Sequence, residues 1–132
     1  MKNSIFIDFF LNFLYNFKMK KSEIPSTLLL AKIKIHLSNV GLSEKYNAFD
    51  YLSDIIFYML KHDDDSLQIY NQAITMISNK YSLNERTVKS SIQNLLKNCD
   101  GKIRYKTQFN LSSHSTLNKI RVLKNYIFDN LN

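Results

Sequence analysis

Arg86, Ser90, Gln93 and Lys97 recur at steps of four, three and four, a spacing that places them on one stripe of an α-helix. Their chemistry is that of anion and base-edge recognition: two cations for phosphate oxygens, a hydroxyl, and a carboxamide that both donates and accepts. No residue of the stripe is apolar or acidic. A carboxylate there would be repelled by a nucleic-acid backbone. The same pattern also suits an ordinary solvated helix face, so the spacing alone defines a surface.

The stripe needs a scaffold, and residues 73–96, AITMISNKYSLNERTVKSSIQNLL, contain one. Ile74 and Ile77 with Tyr81 would line the inner face of a first helix, Leu83 would plug a tight turn, and Val88, Ile92 and Leu95 would seat a second helix across it. That is the spacing of a helix-turn-helix. Beyond it, KIRYKTQF alternates polar with apolar or aromatic residues. The alternation predicts either a short strand, as in a basic wing or arm with Lys102, Arg104 and Lys106 on one face and Ile103, Tyr105 and Phe109 mostly on the other, or an irregular loop pinned by its aromatics.

The chain as a whole bounds these readings. Its 132 residues are 45% hydrophobic, with nine Phe and eight Tyr, enough for one domain with its own core. Two Gly and one Pro leave few turns for a many-stranded barrel, and the apolar residues recur near a period of 3.6, so the expected fold is all-α. A net charge of +7, from 18 basic and 11 acidic residues, favours a polyanionic partner. The lone Cys99 excludes an internal disulfide and a cysteine-rich zinc site, which fits a reducing cytoplasm. His36, His62 and His114 are scattered, and no nucleophile signature or phosphate-cradling glycine loop can be assembled. The sequence therefore argues against an enzyme and calls for no cofactor, metal or catalytic residue.

The opening MKNSIFIDFFLNFLYNFKMKK starts like a signal peptide, but Asp8, Asn12 and Asn16 interrupt its apolar run and no small-residue cleavage site follows. It is too short and too polar to span a bilayer, so no stable membrane insertion is expected. On a helical wheel Phe6, Phe9, Phe10, Phe13 and Phe17 share one side, an amphipathic helix whose aromatic face would pack on this domain's core, on a dimer partner or on a membrane surface. Residues 1–25 thus read as a Phe-rich helix and linker, and 26–132 as the helical domain. Within it, Ser26 is a candidate N-cap for a helix that Gly41 ends, and Ser43 for a long central helix through Tyr51, Leu52, Ile55, Ile56 and Met59. Asp63, Asp64 and Asp65 lack the pattern of a calcium loop and read as a solvated loop with an N-cap. Residues 112–116 offer N-caps for a last helix carrying Leu117, Ile120, Leu123 and Ile127.

With these elements placed, IHLSNVGLSEKYNAFDYLSDII and the following FYMLKHDDDSLQIYNQAITMISNKY resemble the C-terminal effector domain of the stage zero sporulation protein A family. The resemblance runs from about residue 31 to residue 97 and rests on the Val40-Gly41 turn, the Tyr51-Leu52 pair and the series Ile77, Lys80, Tyr81, Val88 and Ile92. It implies a domain of about six helices that sets a recognition helix in the major groove and binds tandem sites as a head-to-tail homodimer. Full-length members of that family carry a phospho-acceptor receiver domain, whereas about 30 residues precede the similar region here, so a regulator lacking a receiver is expected. Where the family reads bases mainly with Arg, Glu and His, this chain has Thr87, Lys89, Ser90, Gln93 and Asn94. Gln93 and Asn94 suit adenine N6 and N7, which predicts A·T-containing sites.

The expectation is a sequence-specific double-stranded DNA-binding protein, with Lys89, Ser90, Gln93 and Asn94 toward bases and Arg86, Lys97, Lys102, Arg104 and Lys106 toward phosphates. Its job would be transcription regulation, or that of an accessory factor in replication or conjugative transfer of a plasmid or mobile element. A protein-interaction module built on the Phe-rich helix is the alternative from another class.

Overall fold

The computed structural model describes residues 24–131, which form six α-helices and, among the described residues, no strand. They are α1 (Ser26–Asn39), α2 (Asn47–His62), α3 (Leu67–Tyr81), α4 (Glu85–Asn98), α5 (Asp100–Thr107) and α6 (Thr116–Asp129). The Phe-rich segment lies outside the described residues. The all-α expectation holds.

Helix α2 is the axis of the domain, packed against α1, α3, α4 and α6. Ala48, Phe49, Tyr51, Leu52, Ile55, Ile56 and Met59 are buried along it, more than one face of a surface helix would supply. Ser53, also fully buried, donates its hydroxyl to the Phe49 carbonyl at 2.7 Å, which removes the cost of an unsatisfied polar group. The other helices each give a stripe to the same core: Leu28, Leu29, Ile33 and Leu37 from α1, Ile69, Tyr70, Ala73, Ile74 and Ile77 from α3, Ile120, Leu123 and Ile127 from α6.

Helix ends were the least legible part of the sequence. Ser26 is the first helical residue of α1 and Pro25 occupies the cap position, because proline's fixed φ suits the entry and its carbonyl accepts from Leu29 N at 2.9 Å. Ser43 does not cap the central helix: it starts a turn in which Tyr46 N donates to its carbonyl, and α2 begins after Tyr46 with no side-chain cap. Ser66 caps α3 by accepting from Ile69 N, and Ser115 caps α6 by accepting from Asn118 N. The aspartates between α2 and α3 divide their roles: Asp63 adopts positive φ, Asp64 accepts from Ser66 N at 2.8 Å, and Asp65 meets Lys124 of α6 at 2.8 Å. The Ser66 hydrogen bond holds the Asp64 carboxyl below its ordinary range.

The segment expected as a strand-like wing or an irregular loop is a helix. Residues 100–107 continue from α4 after one turn residue, Cys99, whose carbonyl accepts from Ile103 N at 2.9 Å. Helical spacing lets Ile103 and Thr107 face inward together, and Ile103 is fully buried. Alternation placed Tyr105 beside Ile103, whereas the helix turns it about 200° away.

Gly41 holds this corner. It has φ +111, and a Cβ built on it would stand 2.8 Å from Lys102 Cβ and 3.1 Å from the Lys102 carbonyl carbon. Its turn closes α1 in a Schellman-type pattern, Leu42 N donating to Leu37 O at 3.1 Å. Gly41→Ala should therefore destabilise the domain by about 1–3 kcal/mol, through the positive φ and the collision with α5, as a lowered urea midpoint would show.

His36 on α1 is half-buried, its ring edge-on to Tyr126 of α6 at 6.4 Å, with Nε2 buried and lacking a hydrogen-bond partner. Burial lowers its pKa from 6.5, aided by Lys32 one turn earlier and opposed by the Asn130 backbone. A folded-state pKa below the unfolded value means that the unfolded chain binds the extra proton first. Stability should be full above about pH 6.5 and decline as pH falls below it, and His36→Gln should flatten that slope in urea titrations.

Candidate nucleic-acid interface

Helices α3 and α4 are joined by residues 82–84, and the joint is closed by hydrogen bonds at both ends. Ser82 takes the left-handed conformation, φ 55, so that Leu83 N can donate to Ser78 O at 2.9 Å, and the Ser78 hydroxyl donates back to the Leu83 carbonyl. Asn84 then caps α4, its Oδ1 accepting from Thr87 N at 2.7 Å. Thr75 of α3 donates to Glu85 at 2.5 Å, tying down the first residue of α4. Leu83 is half-buried in the turn, consistent with the plug role expected of it.

The end of α3 is also fastened to α2. Asp54 accepts from Lys80 Nζ and from Tyr81 OH, both at 3.0 Å, and the Tyr81 ring lies 4.9 Å from that of Tyr51. The Asp54 hydrogen bond raises the Lys80 pKa, while burial and then the same carboxylate raise that of Tyr81. With α3 clamped, α4 is fixed by its own apolar stripe: Val88 and Ile92 are fully buried, Leu95 and Leu96 nearly so.

What remains outside is the polar stripe of α4. Arg86, Thr87, Lys89, Ser90, Gln93, Asn94 and Lys97 are all exposed on α4, and Lys102, Arg104 and Lys106 are all exposed on α5. The helical register centres the outward face near Ser90, with Arg86, Asn94 and Lys97 beside it and Gln93 and Thr87 at its margins. Lys89, expected toward bases, stands on the shoulder, about 20° around the axis from buried Leu96. Among the described residues, Lys34, Lys80, Arg121 and Lys124 form the ion pairs, and none involves a cation of α4 or α5. The charges are segregated along the chain: residues 86–124 hold nine Lys or Arg and one acid, Asp100, whereas residues 44–65 hold six acids and two Lys.

The structure adds a feature that spacing does not reveal. A cleft of about 210 Å³ opens beside Asn94, lined by Ser91, Leu95 and Asn98 of α4 and by Tyr46, Asn47 and Ala48 at the start of α2. Lys45 Nζ lies 5.2 Å from the exposed Tyr46 ring at the cleft's edge. This neighbourhood comes from packing between distant segments. The larger hollow, about 660 Å³, lies along α3 between Tyr58 and Met76, and neither Lys, Arg, His nor a carboxylate lines it. Among the described residues no three His, Cys, Asp or Glu side chains group as metal ligands, and no helix is long and apolar enough to cross a membrane.

Comparison with family models, with curated proteins and with solved structures finds no match to this chain.

The cap of α4 is the local device on which the exposed face depends. Asn84→Ala should cost about 1 kcal/mol of stability, with faster amide exchange at Arg86 and Thr87 than in the parent protein, while Asn79→Ala, which removes no cap, should leave that exchange unchanged.

Proposed function

We propose that the chain is a sequence-specific double-stranded DNA-binding protein in which α4 is the recognition helix. One observation carries the reading: a helix fixed at its cap, turn and apolar stripe exposes a face of cations, hydroxyls and carboxamides, and that face runs into the cations of α5 with no exposed carboxylate between them. An α-helix fits the major groove of B-DNA, and Ser90, Gln93 and Asn94 supply donors and acceptors for base edges. Gln93 and Asn94 favour adenine. Arg86, Lys89 and Lys97 around the face, and Lys102, Arg104 and Lys106 on α5, take the phosphates that set orientation. In this assignment Lys89 moves from base to backbone, as its position on the shoulder requires.

The resemblance to the sporulation-regulator effector domain supports the same reading from residues 31–97 and suggests a transcriptional regulator acting as a homodimer on tandem sites. Its different recognition residues imply a different operator. An accessory role on a plasmid or mobile element would use the same contacts at an origin.

Titration with duplex DNA at rising salt tests the proposal. The logarithm of the association constant should fall linearly with that of salt, with a slope between about −3.5 and −5.5 for four to six phosphate contacts. Gln93→Ala should reduce discrimination between sites by about 1–3 kcal/mol, and Lys97→Ala should weaken all duplexes alike and reduce the slope by about one. Salt-independent binding overturns the duplex reading, and exchange of the two variants' effects overturns the division of roles.

A further inference from the structure

Tyr105 is 82% exposed, the most exposed large hydrophobic side chain among the described residues. It stands on α5, where Ile103 is the one buried residue, and the register points it away from Ile103 into solvent. Lys102 and Lys106 flank it on one side of the helix and Arg104 on the other. Among the described residues, its ring packs on no other ring or cation and its hydroxyl has no hydrogen-bond partner. One turn toward the N-terminus, the direction in which helical side chains lean, is Gly101, where a built Cβ meets no heavy atom within 4 Å. Unlike Gly41, Gly101 has neither a positive φ nor a close neighbour, so packing does not require a glycine there. An aromatic ring bordered by open space and ringed by unpaired cations is the arrangement of a base-stacking platform.

We propose that α5 binds an unpaired nucleobase on Tyr105, with Lys102, Arg104 and Lys106 holding the phosphates of the strand that carries it. The inference rests on the duplex reading of α4 and extends it: the preferred partner is DNA in which a duplex adjoins a single-stranded stretch. Bases inside a paired duplex are stacked on each other and present only edges to the grooves, so an aromatic face gains a partner where pairing ends. Charge decides for nucleic acid over an apolar protein partner, since three cations without a carboxylate partner surround the one ring.

Fluorescence anisotropy with a labelled blunt duplex, the same duplex bearing a short single-stranded extension, and the single strand alone tests this on the full chain. The extended duplex should bind about tenfold more tightly than the blunt one, the scale of one stacked base. Tyr105→Ala should abolish the difference without changing blunt-duplex affinity, and Tyr105→Phe should retain it. Gly101→Leu, which fills the open space and replaces a helical glycine, should abolish the difference while leaving the protein at least as stable in urea. Equal affinity for blunt and extended duplexes, or a Tyr105→Ala loss of equal size on both, overturns the stacking site and leaves the duplex reading standing. Tyr105-dependent binding of the single strand with none of the blunt duplex supports the platform and overturns the role of α4. Binding to neither DNA overturns both.

Discussion

Burial of α2 over more than half its circumference is the constraint from which the rest of the structure follows. Tyr51, Leu52 and Ser53 are buried at three consecutive positions, which span about 200° of one helix, so neighbouring helices must cover it from several directions. That demand fixes α1, α3, α4 and α6 as a shell around an axis. Each shell helix turns one apolar stripe inward, and its remaining surface is free to carry chemistry. The polar row of α4 is therefore the outward complement of Val88, Ile92, Leu95 and Leu96, and it cannot rotate without pulling those residues from the core.

Holding a helix is not the same as holding its first turn, where four backbone N–H groups lack helical acceptors. At α4 the Asn84 cap, the Thr75 bond to Glu85 and the Asp54 clamp on Lys80 and Tyr81 together fix the entry. These groups lie on three elements. On the proposed reading of α4 this rigidity would favour binding, because ordering a frayed turn on binding subtracts from affinity.

How much was legible follows from where each signal is stored. The apolar period of α3 and α4 is local, and the seven candidate residues of α4 are exposed as it predicts, whereas the three cations of α5 are exposed on a helix where alternation predicts a strand or a loop. Chain reversals were less legible because glycine, their usual mark, appears twice in the chain. The positive-φ positions fall to Asp63, Ser82 and Gln108 as well as Gly41, and none of those three side chains announces the conformation. The segment KIRYKT was ambiguous by construction, since positions 103 and 107 are in register for a helix while 103 and 105 are in register for a strand. Long-range packing decides between them: Lys102 abuts Gly41, a turn some sixty residues earlier, and Ile103 closes into the core. The cleft around Asn94 is illegible for the same reason, because residues 46–48 and 91–98 meet only after α2 and α4 pack.

Charge on the surface is divided between anchoring pairs and unpaired cations. Acidic side chains on α2 and in the loop after it serve as anchors: Asp50 for Lys34, Asp54 for Lys80, and Asp65 for Arg121 and Lys124. The cations so used come from α1, α3 and α6. Those of α4 and α5 receive no such partner, although mixed signs on the surface would lower the self-repulsion of the compact state. Of the two acids on these helices, Glu85 accepts from Thr75 of α3 and Asp100 is half-buried, each in a first turn where the helix dipole favours a carboxylate. Solubility alone would be met by either arrangement. Segregation leaves like charges close together along α4 and α5, and an external polyanion is the class of partner that relieves their repulsion while releasing its own counterions.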